Sequence, residues 1–236
     1  MNIEILQNIE GAKKAKGLAV IIDVFRAFST ACYVIGAGAE KIIPIGDTDT
    51  ALQLKKDNPD FILMGECHGT ILTEFDFGNS PSQIHDIDFT GKTVVHTTTK
   101  GTPCIVYAHH AEEILTGSFV NVGAIINYIK TKNSENISLV CTGTENETIL
   151  DEDAVCACYI KNALLGKPND FKKIVDHLKT EGFADHFFDT NVETHPVEDF
   201  DYCMALDAFN FVLKAELYGE DLMCLNKVAV NRAEVV

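Results

Sequence analysis

Basic charge is what this chain has least of: 19 lysines and arginines stand against 35 acidic residues, for a formal net charge of −16. A field of that sign repels nucleic acid and anionic membranes at long range, so neither is expected as a partner. Any polyanionic ligand must then be met by a local cationic site or a bound cation. Cysteine is present in eight copies, but no pair has C-x-x-C spacing and most lie in apolar segments. That argues against a disulfide framework or a zinc knuckle and for reduced thiols in the cytoplasm. The first residues, MNIEILQNIEGAKKAKG, hold no apolar leader segment, and no later run approaches the ~18 apolar residues that span a bilayer. Neither a Walker A loop nor a G-x-G-x-x-G fingerprint occurs, which removes the usual sequence support for nucleotide hydrolysis and dinucleotide redox chemistry.

What is present is globular composition, 46% apolar and 23% charged over 236 residues, enough for one large core and incompatible with a disordered or collagen-like chain. We read it as a single domain, residues 1–236, with a homodimer left open. Short β-branched runs recur at 18–23, 41–45, 61–64, 93–97, 113–116 and 137–141, and helical patterns separate most of them, at 27–35, 50–57, 102–110 and 122–132. The strand runs are continuously apolar rather than alternating, which requires burial on both faces. The expectation is a three-layer α/β/α fold on a largely parallel, or mixed, sheet. Beyond Cys141 the pattern predicts helices at 153–165, 169–179 and 205–217, an edge strand at 222–230, and a solvated loop over the acidic stretch 185–201.

In open parallel sheets ligands bind beyond the carboxyl ends of the strands, so the polar residue that closes each apolar run is informative. The first run closes on Asp23, the third on Gly65-Glu66, the fourth on Thr97-Thr98-Thr99-Lys100-Gly101-Thr102 and the sixth on Thr142-Gly143-Thr144. Arg26 follows Asp23 closely and is one of only two arginines in the chain. Its planar fork suits phosphate or sulfonate oxygens better than a lysine does, so it is expected to read an anion rather than to support the fold. Glu66 and Asp76 flank a loop and offer the carboxylate oxygens that Mg²⁺ takes together with water and substrate phosphate. The Cys67-His68 pair has no matching partners for zinc. Gly78-Asn79-Ser80-Pro81 brings backbone N–H groups and two polar side chains to a helix start, and the threonine-rich turn with Lys100 has the composition of a phosphate cradle. Asp151-Glu152-Asp153 opens a helix, where acidic residues suit the dipole and could also complete a metal site. His96 lies inside an apolar run and reads as a core histidine.

Taken in order, LAVIIDVFRAFSTA, GECHG followed by FDFGNSP, TTKGT and EDAVCACYI resemble the 2-phosphosulfolactate phosphatases of coenzyme M biosynthesis, across about residues 18–160. The resemblance implies Mg²⁺-dependent hydrolysis of the phosphate ester of a sulfonated 2-hydroxy acid. It also implies roles in that reaction for Asp23, Arg26, Glu66, Asp76, Asn79 and Ser80; joined to the strand-end and helix-start readings, the expected set is catalytic Asp23 and Asp76, substrate contacts from Arg26, Asn79, Ser80, Thr98, Thr99, Lys100, Gly101 and Thr102, and metal ligation by Asp23, Glu66, Asp76 and Asp153. Attack by water and an aspartyl-phosphate on Asp23 are both compatible with that set. Lys100 stands where the family has asparagine, Glu74 where glycine is frequent, and Cys158 where a small residue is usual. The readings that compete with a phosphatase are a silent module binding phosphorylated or sulfonated metabolites, and a Mg²⁺-dependent lyase or isomerase.

Overall fold

The computed structural model describes residues 1–67, 70–132, 134–143, 150–189 and 194–230. His68, Gly69 and Thr144, which the sequence patterns include, lie outside the described residues. The strands are β1 (Asn2–Gln7), β2 (Leu18–Ile22), β3 (Lys41–Ile45), β4 (Ile62–Gly65), β5 (Thr93–Thr97), β6 (Glu113–Gly117), β7 (Asn136–Cys141), β8 (Phe211–Tyr218) and β9 (Leu222–Ala229). The helices are α1 (Asn8–Ala12), α2 (Ala27–Gly36), α3 (Thr48–Asp57), α4 (Pro81–Ile84), α5 (Gly101–Tyr107), α6 (Val122–Lys132), α7 (Glu152–Leu164), α8 (Phe171–Thr180), α9 (Asp185–Phe188) and α10 (Glu198–Cys203).

One mixed sheet carries the strands in the order β1-β7-β2-β6-β8-β9-β3-β5-β4. The β2 sequence LAVII shows why the fold is layered. Leu18, Val20 and Ile22 enter a core with α6 and α7, whereas Ala19 and Ile21 enter another with α2 and α5. Successive side chains of a strand leave opposite faces, so five apolar residues in a row demand a helical layer on each side. Ile43, Ile45, Leu63 and Val95 form a third cluster, over which α3 places Ala51. The architecture is three-layer α/β/α.

Pairing is parallel from β1 through β6 and again among β3, β5 and β4, while β6–β8, β8–β9 and β9–β3 are antiparallel. Three reversals set the β3-β5-β4 group against the direction of β2. The carboxyl ends of β2 and β5 nevertheless meet, since a Cβ added to Gly101 would stand 2.6 Å from Asp23 Oδ2. The sheet therefore folds back between its two groups, and its thinnest seam is β9–β3, joined by the single pair Ile42–Leu225.

Three expectations are corrected. Residues 211–217 of the expected 205–217 helix belong to strand β8, because pairing on both sides with β6 and β9 outweighs the modest helical preference of KAEL. Residues 222–230 give β9, an interior strand rather than an edge, reached by a tight turn with Gly219 at φ 70°. The edges are β4 and the unanticipated β1. The acidic stretch 185–201 is no solvated loop over its described part, for it holds α9 and the first turn of α10, and Asp199 is wholly buried.

Candidate active site

A cleft of about 460 Å³ opens where the ends of β2, β4 and β5 converge, lined by Asp23, Phe25, Arg26, Glu66, Asn79, Thr98, Thr99, Lys100 and His195. A larger cleft of about 600 Å³ lies at the opposite ends of β2, β6 and β7. Its two lysines, Lys132 and Lys214, both turn to Glu113, which leaves it little free positive charge.

Asp23 is nearly buried as the residue that ends β2. Its Oδ1 accepts the Ala27 N–H at 3.0 Å, and its Oδ2 accepts the Thr142 hydroxyl at 3.1 Å. Behind it Asp153 accepts from Val24 N at 2.8 Å and from Thr142 N at 3.0 Å, and its Oδ2 lies 3.2 Å from the same Thr142 hydroxyl. One hydroxyl proton can satisfy only one of two carboxylates, so the second contact needs a proton on a carboxyl or a cation nearby. Burial raises the affinity of both acids for a proton, with Glu66 adding to the effect at Asp23 and Glu152 and Asp23 adding to it at Asp153. Glu152 is pushed up to about 8 by burial and then by Asp151.

Facing Asp23, Glu66 accepts from Thr99 N at 2.7 Å and Thr99 Oγ1 at 2.9 Å, which fixes the turn after β5. Thr98 and Thr102 exchange backbone and hydroxyl bonds at 3.1 Å, and the Thr102 hydroxyl donates to Ile45 O at 2.9 Å. Gly101 leaves room for Asp23, and Lys100 Nζ donates to Gly143 O at 3.1 Å from the cleft wall. Arg26 Nη1 donates to Asp199 at 2.6 Å and to Thr194 O at 3.0 Å. Asp199 also accepts from the Ser80 hydroxyl and Ser82 N, both at 2.9 Å, so α10, α4 and the turn after β2 are tied through one carboxylate.

A family model described as 2-phosphosulpholactate phosphatase matches residues 3–217. The chain belongs to this family. Its members are phosphoric monoester hydrolases, and similar curated proteins carry the same description. A "Probable 2-phosphosulfolactate phosphatase" of Caldicellulosiruptor saccharolyticus is 35% identical over 217 residues, covering 90% of this chain and 86% of that one. One from Bacillus subtilis is 29% identical with 93% and 96% covered, and one from Carboxydothermus hydrogenoformans is 36% identical with 70% and 68% covered.

Of the residues that the sequence singles out, Asp23, Arg26, Glu66, Asn79, Thr98, Thr99 and Lys100 line this cleft. Gly101, Thr102, Ser80 and Asp153 stand directly behind its walls. Asp76 is elsewhere: its Oδ2 accepts from Leu63 N at 2.8 Å and Lys55 Nζ at 3.1 Å, where it braces the loop against β4. Among the described residues, no three His, Cys, Asp or Glu side chains converge closely enough to hold a metal unaided. Arg26 departs from its expected role in one respect, because its pairing with a wholly buried carboxylate makes it a support of the fold as well as part of the wall. Sequence reasoning missed Asp199 and His195. Asp199 sits in an acidic run with nothing to distinguish it, whereas His195, in Thr194-His195-Pro196, offered the faint signal of a histidine beside a turn-forming proline. Burial and the neighbouring Arg26 cation disfavour its protonation.

Proposed function

We propose that this protein hydrolyses 2-phosphosulfolactate, or a closely related 2-hydroxy-acid phosphate, to the free hydroxy acid and inorganic phosphate, with Mg²⁺ bound in this cleft. The observation that carries the reading is the meeting of Asp23 and Glu66 with Arg26 and Lys100 in one small cavity. A phosphosulfolactate carries about four negative charges near neutral pH, and a chain of net charge −16 needs concentrated countercharge to receive it. Arg26, whose Nη1 is held by Asp199 and the Thr194 carbonyl, lines the cleft as one cation, and Lys100 supplies a second.

Mg²⁺ fits the donor set. It is content with one or two carboxylates plus water and substrate phosphate, so an all-protein cage is not required. Asp23 and Glu66 would hold it, with Asp153 supporting Asp23 through Thr142. The ion, when bound, would neutralise charge on the phosphoryl oxygens. The chain itself binds and orients: Thr98, Thr99 and Lys100 shape one wall, Arg26 and Asn79 the other, so that water meets phosphorus opposite the departing ester oxygen. Positioning and electrostatics are the larger part of phosphoryl transfer, and this cleft is built for both.

The test is release of inorganic phosphate from 2-phosphosulfolactate with Mg²⁺, with EDTA, and with Mg²⁺ restored. Activity should collapse in EDTA and return with the ion. Turnover indifferent to chelation refutes the metal, and no phosphate release under any condition refutes the phosphatase.

A further inference from the structure

His96 belongs to β5, faces Pro44 and Met64 across the ladder, and is wholly inaccessible to solvent. Its Nε2 lies 3.2 Å from Asn79 Oδ1, and its Nδ1 has no partner among the described residues. Asn79 is itself in the cleft wall, and among the described residues nothing accepts from its Nδ2.

Two proton arrangements could give that contact. If Asn79 turned its amide nitrogen to the ring, Nε2 would be the acceptor and the proton would sit on Nδ1, leaving a donor buried with no partner. With the proton on Nε2, the ring donates to Asn79 Oδ1 and only a bare acceptor is stranded. The structure sets Oδ1, which can only accept, against Nε2, so the proton belongs on Nε2 and the second arrangement is the one its geometry describes. A doubly protonated ring is disfavoured, because burial holds the imidazole down to about 4.

We infer that His96 is a positioning residue: by donating from Nε2 it locks the Asn79 amide with its Nδ2 hydrogens toward the cleft, where they donate to an anionic oxygen of the ligand. The ligand's identity rests on the phosphatase reading above, whereas the lock itself does not. His96 never touches the ligand. It acts by removing the alternative amide orientation, in which Asn79 would present its oxygen to a phosphate or sulfonate and repel it.

Long-range ¹H–¹⁵N spectra of the ring should show Nε2 protonated and Nδ1 bare, and a proton on Nδ1 overturns the inference without reference to activity. In kinetics, His96→Leu should raise KM for 2-phosphosulfolactate about 5- to 10-fold, the worth of one hydrogen bond, with a smaller change in kcat. His96→Gln, which can donate from its own amide, should recover most of the loss. In an Asn79→Ala background His96→Leu should add less than about 2-fold, because its whole effect passes through Asn79. An undiminished His96→Leu effect in that background refutes the lock. If the wild type releases no phosphate, the phosphatase reading fails, and the wild type, His96→Leu, Asn79→Ala and the double variant are compared by calorimetry with inorganic phosphate: the same coupling upholds the lock and independent effects refute it.

Discussion

Replacing Asp199 by asparagine removes one charge and almost no volume, from a residue with no solvent exposure whose partner Arg26 is only 6% exposed. The carboxylate serves two sides, Oδ2 receiving Arg26 and Oδ1 receiving the Ser80 hydroxyl and Ser82 N. An asparagine has one oxygen to share between them. With that oxygen toward Ser82, its NH₂ meets the guanidinium, donor against donor; with the oxygen toward Arg26, its NH₂ meets the Ser82 N–H. Either way a buried cation loses its countercharge, a change that costs about 3–5 kcal/mol. For a chain of this size each kcal/mol moves the midpoint by about 2–4 °C, so Asp199→Asn should melt about 6–20 °C below the wild type. Differential scanning fluorimetry or circular dichroism reads the shift, with exposed Asp201→Asn on the same helix as a control that should stay near the wild type. kcat/KM should fall too, since Arg26 loses the anchor that aims its fork. An Asp199→Asn midpoint within about 1 °C of the wild type would show that the pair contributes nothing and sink the argument.

Gly101→Ala places a methyl group 2.6 Å from Asp23 Oδ2 and 3.1 Å from Ala27 Cβ, so Asp23 must move; kcat/KM should drop at least about 10-fold, and steady-state rates unchanged from wild type would show that Asp23 tolerates displacement. Lys100→Asn should raise KM more for 2-phosphosulfolactate than for a phosphate ester lacking the second acidic group, with the gap narrowing at high salt; equal changes for both substrates would mean that Lys100 does not sense the second anion. His96 is held down to about 4 when folded against about 6.5 when unfolded, so its neutral burial stabilises fully above pH 6.5 and progressively less as pH falls toward 4. Urea melts at pH 7 and pH 5 should therefore show the wild type losing about 2 kcal/mol more than His96→Gln, and parallel losses would place the proton elsewhere.

The fold was legible wherever local pattern and tertiary demand agree. LAVII, KIIPI and TVVHT each carry consecutive β-branched or apolar residues over only five positions, the length and composition of a strand sandwiched between layers, and all three are such strands. Legibility failed at 205–217, where helix-forming Ala, Leu, Lys and Glu are interleaved with Phe211 and Val212. A slot between β6 and β9 is filled from a distance in sequence that no local window contains. β1 was missed for a related reason: NIEILQ is an edge strand, half exposed, and its alternation of Ile with polar residues spans too few positions to stand out.

The site divides along the same line. Asp23, Glu66 and the Thr98 to Lys100 turn were readable because each closes a strand, and the carboxyl ends of strands gather ligands whatever the rest of the chain does. Their partners were not readable. Arg26 is fixed by Asp199, 173 residues away, and Lys100 by the Gly143 carbonyl, 43 residues away. Lys100's partner lies in a strand-end turn that the sequence does mark, Thr142-Gly143, though nothing there ties it to Lys100, whereas Arg26's partner belongs to no motif at all. The motifs over residues 18–160 bring the reactive groups together, but Arg26's buried countercharge comes from α10, well beyond them. A variant that keeps every motif and disturbs α10 should accordingly lose Arg26's aim while leaving Asp23, Glu66 and Lys100 in place, which is why Asp199 rather than any motif residue is the sharper probe of how this cleft is held together.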